Sequence, residues 1–206
     1  MAIPKFLEKL LGDTFKDISN RRWFDTLYWY IIDSKEKTQQ RLDLFLKNQI
    51  DNPDKELVDL AKRFAQFKNP DRIIVEILKY VYARVQYRYD DVNFGKVEYW
   101  ATAKETLERG YDDCDGLNGL IYVLMRLASS EIINNYLLCC IGDVKEGGHF
   151  WLIYFSPKTG KWYPIDGTYH PDLRDINKGR KEFMFDSERY KNVWFYFNEK
   201  FILKQR

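Results

Sequence analysis

The sequence predicts an α+β domain in which a group of helices precedes a run of antiparallel strands. Apolar residues recur at helical spacing in the first half of the chain, whereas short apolar runs separated by turn residues fill the second half. The chain of 206 residues is long enough for one well-cored domain with a small appendage. We expect residues 1–69 to form a helical N-terminal extension and residues 70–206 to form the core that carries the chemistry.

The composition is that of a folded domain with no nucleic-acid partner. Hydrophobic residues make up 45% and charged residues 31% of the chain, which is typical of a globular protein rather than a disordered one. The 33 basic and 31 acidic residues leave a net charge of +2, which gives no electrostatic footprint for DNA or RNA. No apolar run is long enough to span a bilayer.

The first residues, Met1 to Leu11, place charges inside an apolar stretch, which is untypical of a secretory signal. We therefore expect a cytoplasmic protein whose cysteines are thiols. The alternative is that this stretch forms a short amphipathic docking helix, and residues 1–69 are a candidate surface for a protein partner.

Three helices are expected in the first half of the chain. Asn52-Pro53 and Asn69-Pro70 each place a side chain suited to a helix N-cap before proline at the first helical position. Apolar residues follow each pair at helical spacing. An earlier helix is predicted between Ser34 and Asn48.

The second half begins with a helix and continues with strands. An apolar stripe at helical spacing follows Cys114, with acidic capping residues in front of it. The segment Ser156–Gly160, with proline early and glycine at its end, predicts a hairpin turn. The predicted strands are Tyr136–Ile141, Phe150–Phe155 and Lys161–Ile165, with another pair within Val193–Leu203.

Cys114 differs from the other two cysteines in its surroundings. Cys139 and Cys140 lie in an apolar strand, where cysteine behaves as a small apolar residue. Cys114 lies at the first turn of a predicted helix, where backbone N–H groups and the helix dipole favour a thiolate and could hold an oxyanion. The neighbouring carboxylates of Asp112, Asp113 and Asp115 oppose ionisation of the thiol. A cationic partner is therefore needed to stabilise the thiolate.

His149 is the candidate partner, and Asp166 is the candidate that orients it. The chain has only two histidines, and His149 follows two glycines at the entry to an aromatic strand. A hairpin that pairs Ser156 with Lys161 makes His149 and Asp166 diagonal neighbours on one face. An imidazole held by a carboxylate has a fixed tautomer and a stabilised cationic form, so it can take the thiol proton.

Three segments contain these residues: Tyr99–Gly116 (YWATAKETLERGYDDCDG), Gly148–Trp151 (GHFW) and Trp162–Thr168 (WYPIDGT). Together they resemble the transglutaminase-like superfamily of papain-like cysteine hydrolases. The first segment is especially similar to the bacterial transglutaminase-like cysteine proteinases. The likeness covers roughly residues 70–170, and it implies a core in which a nucleophile-bearing helix packs on an antiparallel sheet.

The resemblance implies site residues and leaves others open. It assigns the nucleophile to Cys114, the base to His149 and the orienting acid to Asp166. The side-chain donor to the oxyanion is not defined by the motif, and Trp100 and Gln86 are candidates, as is Trp151 for contact with the substrate; packing is the alternative for Trp100. We expect no cofactor.

The resemblance also raises the question of a metal. In the bacterial proteinase branch, acidic residues that flank the cysteine are associated with calcium, and Asp113 and Asp115 occupy those positions. Calcium requires six or more oxygen ligands, however, and helix capping explains the acidic residues equally. Calcium therefore remains the weaker alternative to no metal.

Three functions follow as expectations. The first is a cysteine peptidase or amidase that acts on a protein or peptide through an acyl-thioester. The second is a crosslinking transglutaminase, in which an amine replaces water as acceptor. The third is a non-catalytic binding or structural module that keeps the fold.

Overall fold

The computed structural model describes residues 42–96, 99–129, 137–156, 158–170, 189–200 and 202–204. The expectations for Met1 to Leu11 and for Tyr136 lie outside these residues, as does the part before residue 42 of the helix predicted between Ser34 and Asn48. The rest of that predicted helix falls within a described helix, Leu42–Asp51. Among the described residues, no helix has the length and apolar character needed to cross a membrane.

Helices occupy most of the chain up to residue 128. Their bounds are α1 Leu42–Asp51, α2 Lys55–Ala65, α3 Pro70–Arg84, α4 Asp90–Phe94, α5 Ala103–Arg109 and α6 Cys114–Ala128. Two short parallel strands, β1 Gln86–Tyr87 and β2 Tyr111–Asp112, bring the end of α3 beside the approach to α6.

The later strands form an antiparallel sheet, as predicted. They are β3 Leu137–Val144, β4 Gly147–Ser156, β5 Lys161–Ile165, β6 Tyr190–Phe197 and β7 Ile202–Lys204. Their order within the described part of the chain is β5-β4-β3-β6-β7. The mixed helix and sheet architecture predicted from the sequence is therefore the one observed, with α6 packed on one face of the sheet.

One of the two predicted proline helix starts is correct and the other is wrong. Asn69 caps α3 and its side chain accepts a hydrogen bond from the backbone N–H of Arg72 at 3.0 Å. Asn52 does not cap α2, because its own N–H donates to the carbonyl of Asn48 at 2.9 Å and so completes the preceding helix. Asp54 is the N-cap instead, and it accepts from the N–H of Glu56 at 2.9 Å.

The β4–β5 hairpin has the predicted register. Ser156 lies opposite Lys161, and pairing continues to Leu152 opposite Ile165. Gly160 has φ of +68°, which favours glycine, and its N–H donates to the carbonyl of Ser156 at 2.9 Å. This register puts His149 and Asp166 near each other beyond the paired residues.

A single hydrophobic cluster joins the early helices to α6 and to one face of the sheet. Its members from α1 and α2 are Leu42, Phe45, Leu46, Leu57, Leu60, Ala61 and Phe64. On α6, Leu117, Leu120 and Ile121 are buried in the same cluster. The opposite face of the sheet packs a second, smaller cluster around Trp151, Tyr190 and Tyr196. The division at residue 69 into extension and core stays a prediction.

Candidate active site

Cys114 is the first residue of α6 and is half-buried. Asp113 caps the helix, and its side chain accepts a hydrogen bond from the N–H of Asp115 at 3.0 Å. The thiol therefore lies at a helix N-terminus, where backbone N–H groups point outward and the dipole favours negative charge.

The segment before Cys114 is held by a buried carboxylate. Asp112 is fully buried and accepts hydrogen bonds from the hydroxyl of Thr106 at 2.7 Å and from the N–H of Asp113 at 3.0 Å. Burial raises the pKa of Asp112 to about 6, against the lowering effect of those bonds. Gly116 makes room for this carboxylate, since a Cβ there would lie 2.2 Å from its Cγ.

His149 and Asp166 form a buried hydrogen bond. The imidazole Nε2 lies 2.9 Å from Oδ2 of Asp166, and the relative exposures of the two residues are 6% and 0%. Because Nε2 faces the carboxylate and carries the proton, Nδ1 is the ring nitrogen that can accept another.

Asp166 has several further partners that hold its carboxylate in place. The hydroxyl of Tyr190 donates to Oδ2 at 2.8 Å, and the N–H of Thr168 donates to Oδ1 at 2.8 Å. The hydroxyl of Tyr82 donates to the backbone carbonyl of Asp166, also at 2.8 Å. The donors to Oδ1 and Oδ2 compensate for the loss of solvent around the buried carboxylate.

Asn118 connects the helix of Cys114 to the two segments that carry His149 and Asp166. Its side-chain nitrogen donates to the carbonyls of Cys114 at 3.0 Å and Phe150 at 2.7 Å. Its side-chain oxygen accepts from the N–H of Gly167 at 2.8 Å. The three sequence-predicted segments are therefore brought together around one buried amide.

The candidates for oxyanion or substrate contact lie in three different settings. Trp151 is fully buried, and its ring stacks on His149 with centroids 5.9 Å apart. Trp100 is half-buried and packs on Phe150 at 5.3 Å between ring centroids. Gln86 is exposed on β1. The roles of all three stay predictions, and the observed contact of Trp151 is with the imidazole.

Three carboxylates form a cluster beside Cys114. One oxygen from each of Asp90, Asp113 and Asp115 lies within 4.8 Å of the others. Asp90 is 2% exposed, and its Oδ1 has no hydrogen-bond partner in the part of the chain that the structure describes. Burial, and then the charge of Asp113, raise the pKa of Asp90 to about 7.

Burial likewise raises the pKa of Asp113, while hydrogen bonds with Asp115 and the electrostatic interaction with His149 oppose the rise. The imidazole and the residue next to Cys114 therefore lie within electrostatic reach of each other. A hard cation suits this donor set of carboxylate oxygens.

Three further residues of the candidate site were not predicted from the sequence: Asn118, Tyr190 and Asp90. A signal existed for Asn118, which is a polar residue inside an apolar helical stripe, one turn after Cys114. Tyr190 and Asp90 carried no such signal, because they are far along the chain from the residues they contact.

Comparison with known proteins supports the fold. No family model and no curated protein sequence matches the chain. Among solved structures, it is similar to Legionella pneumophila LapG in the calcium-bound form, with 16% identity, a TM-score of 0.51 and coverage of 72% of this chain and 74% of that chain. For EGTA-treated LapG of the same organism, the identity is 12%, the TM-score is 0.53 and the coverage is 80% and 86%. The chain thus has a transglutaminase-like fold.

Proposed function

We propose that this chain is a thiol-dependent acyl-transfer enzyme, a cysteine peptidase or amidase with Cys114 as nucleophile, His149 as base and Asp166 as orienting acid. The buried hydrogen bond between His149 and Asp166 is the observation that carries the proposal. It supplies an imidazole of fixed tautomer in a protein with one half-buried thiol among three cysteines. That thiol begins a helix whose Asn118 bonds Phe150, the neighbour of His149, and Asp166.

The reaction begins with transfer of the Cys114 proton to Nδ1 of His149. The thiolate attacks the carbonyl carbon of the substrate amide, and backbone N–H groups at the start of α6 stabilise the oxyanion. When the C–N bond breaks, the leaving nitrogen takes the proton from the imidazolium and the acyl group remains on sulfur.

Water then attacks the thioester while Nδ1 of His149 accepts its proton. The C–S bond breaks, the product acid leaves, and the proton returns to the thiolate. Asp166 acts through the imidazole at both steps, because it holds the ring and stabilises its cationic form.

Alkylation of Cys114 by iodoacetamide tests the pairing of thiol and imidazole. At about pH 6.5 an ordinary thiol is protonated and reacts slowly. We expect mass spectrometry to locate rapid modification at Cys114, and His149→Ala to slow it by about a hundredfold. His170→Ala is the matched control, since it removes the other histidine, which is exposed and stacks on Tyr82. Equal rates in wild type and His149→Ala would contradict the proposal.

A peptide substrate and a labelled primary amine test whether water or an amine accepts the acyl group from the thioester. Release of a free acid identifies the peptidase or amidase, whereas incorporation of the amine identifies the crosslinking alternative. If neither product forms, although Cys114 is modified rapidly only when His149 is present, the binding-module alternative is favoured.

We further propose that the cluster of Asp90, Asp113 and Asp115 binds a divalent cation, with calcium the best match to its oxygen donors. The unsatisfied, buried Oδ1 of Asp90 supports this proposal, because a cation would compensate for its burial. The calcium-bound state named for one LapG structure agrees with this chemistry. The cation would neutralise the carboxylates beside the thiol, and no step of the reaction passes through it.

Thermal unfolding with and without calcium tests the cation site. After treatment with a chelator, added calcium should raise the melting temperature of the wild type and leave that of Asp90→Asn unchanged. Asp91→Asn, at an exposed position next in the chain, is the matched control and should respond like the wild type. An equal response in wild type and Asp90→Asn would overturn the site.

A further inference from the structure

We propose that Asn118 is the positioning residue of this active site, and that it sets the placement of the Cys114 thiol relative to the His149–Asp166 pair. The inference rests on the proposed function, since it concerns how the same three residues are held. The side chain is fully buried on α6.

A buried amide has to satisfy its hydrogen-bonding groups within the protein. Its nitrogen offers two protons, and its oxygen accepts. The two short bonds from the nitrogen go to the carbonyls of Cys114 and Phe150, at 3.0 and 2.7 Å, while Oδ1 of Asp166 lies further away at 3.4 Å. The oxygen takes the N–H of Gly167 at 2.8 Å.

Each of these partners is a proposed active-site residue or its direct neighbour. Asn118 contacts Cys114 at its backbone carbonyl. It contacts Phe150, the residue after His149, and both Asp166 and the following Gly167. One side chain thus fixes the distances between the start of α6, the beginning of β4 and the segment that follows β5. Because a displacement of about 1 Å between reacting groups costs on the order of a hundredfold in rate, a rigid bridge at this point has a direct effect on catalysis.

The close approach of Gly167 to α6 makes this bridge possible. A Cβ at Gly167 would lie 3.0 Å from Cβ of Leu117 and 3.0 Å from Cδ1 of Ile121, so the backbone after β5 lies tightly against the helix. The same close packing places the Gly167 N–H within hydrogen-bond distance of the Asn118 amide oxygen. The bridge is therefore built into the packing of the helix on the sheet.

The test compares the pH profile of Cys114 alkylation in full-length wild type, Asn118→Ala and Val123→Ala. Val123 is buried on the same helix and serves as the matched control for a loss of stability without loss of the bridge. Asn118→Ala should slow alkylation at about pH 6.5 by about tenfold and shift the midpoint of the profile upward, towards that of His149→Ala. Val123→Ala should keep the wild-type midpoint.

The outcomes separate this inference from the proposed function. If His149→Ala slows alkylation but Asn118→Ala leaves the midpoint unchanged, the positioning role is wrong and the proposed function stands. If His149→Ala has no effect, both are wrong.

A measurement on the wild type covers the case in which Asn118→Ala fails to fold. Side-chain amide protons of Asn118, observed by NMR, should exchange with solvent about a thousandfold more slowly than those of the exposed Asn52, and their shifts should move when Cys114 is alkylated. Rapid exchange, or amide chemical shifts that stay the same after alkylation, would overturn the inference.

Discussion

At the scale of single residues, the hydrogen-bond donors around the Asp166 carboxylate offset the cost of its burial. Its Oδ2 accepts from both His149 and Tyr190, at 2.9 and 2.8 Å, in a location without solvent contact. Loss of one donor to a buried charge is costlier than loss of a bond between neutral groups, since the charge has no water to replace it.

Tyr190→Phe should therefore lower the free energy of unfolding by about 1.5–3 kcal/mol. The ring would keep its packing on Trp151, and only the hydroxyl is lost. Urea unfolding measures the effect. Tyr163→Phe is the control, because that hydroxyl bonds a neutral one, on Thr159, at 3.1 Å, and its loss should cost about 1 kcal/mol or less. Equal losses in both variants would contradict the argument.

The pKa of Asp90 predicts how stability varies with pH. Burial and the charge of Asp113 raise this pKa to about 7 from the ordinary 3.8, so between these values the folded state binds more protons than the unfolded state. Stability due to this group is thus present below about pH 4 and falls as the pH rises to about 7.

With a chelator present, Asp90→Asn should be more stable than the wild type at about pH 8, by on the order of 1–2 kcal/mol, and the difference should shrink towards about pH 4. Unfolding by urea at several pH values measures this. A difference that stays constant with pH would mean that Asp90 does not titrate as described.

At the scale of elements, helix α6 contains two glycines that differ in the space available for a side chain. A Cβ at Gly116 would lie 2.2 Å from Cγ of Asp112, whereas a Cβ at Gly119 would meet nothing within 4 Å. Alanine is the better helix former wherever it fits, because glycine loses more backbone freedom on folding.

Gly119→Ala should therefore stabilise the protein by about 0.5–1 kcal/mol. Gly116→Ala should destabilise it by about 1–3 kcal/mol and displace the Asp112 carboxylate that precedes Cys114. The midpoints of urea unfolding give both values, and the two variants control for each other within one helix. Stabilisation by both substitutions would show that Asp112 can move at little cost.

At the scale of the whole molecule, the early helices belong to the core that supports the site. Seven apolar residues of α1 and α2 are buried in the cluster that contains the apolar face of α6. Side-chain burial of this kind contributes on the order of 10 kcal/mol in total, which is comparable to the net stability of a domain. The N–H of Ala103, at the start of α5, also donates to the side chain of Gln49 at 2.7 Å.

A chain that begins at residue 70 should accordingly lose its cooperative thermal unfolding rather than retain a folded core. Near-ultraviolet circular dichroism and a melting curve check this expectation. The full-length chain is the comparison, and it should show one cooperative transition. A well-folded product starting at residue 70 with rapid Cys114 alkylation would show that α1 and α2 serve recognition instead.

The sequence by itself determined the parts of this protein that depend on local pattern. The helix that begins at Cys114 follows from acidic capping and a 3.6-residue apolar period, and the register of the β4–β5 hairpin follows from its turn. The start of α2 was predicted wrongly, at Asn52 instead of Asp54. The N–H of Asn52 donates to the carbonyl of Asn48 and so belongs to the end of α1, which leaves Asp54 as the N-cap.

Only the tertiary structure decided which distant groups surround the candidate site. Tyr190 reaches Asp166 from β6, Asp90 joins Asp113 from the segment after α3, and Asn118 bonds residues near both proposed partners of Cys114. Contacts of this kind depend on how helix and sheet pack in three dimensions. No periodicity or capping rule specifies that packing, since such rules describe interactions only between residues close in the chain.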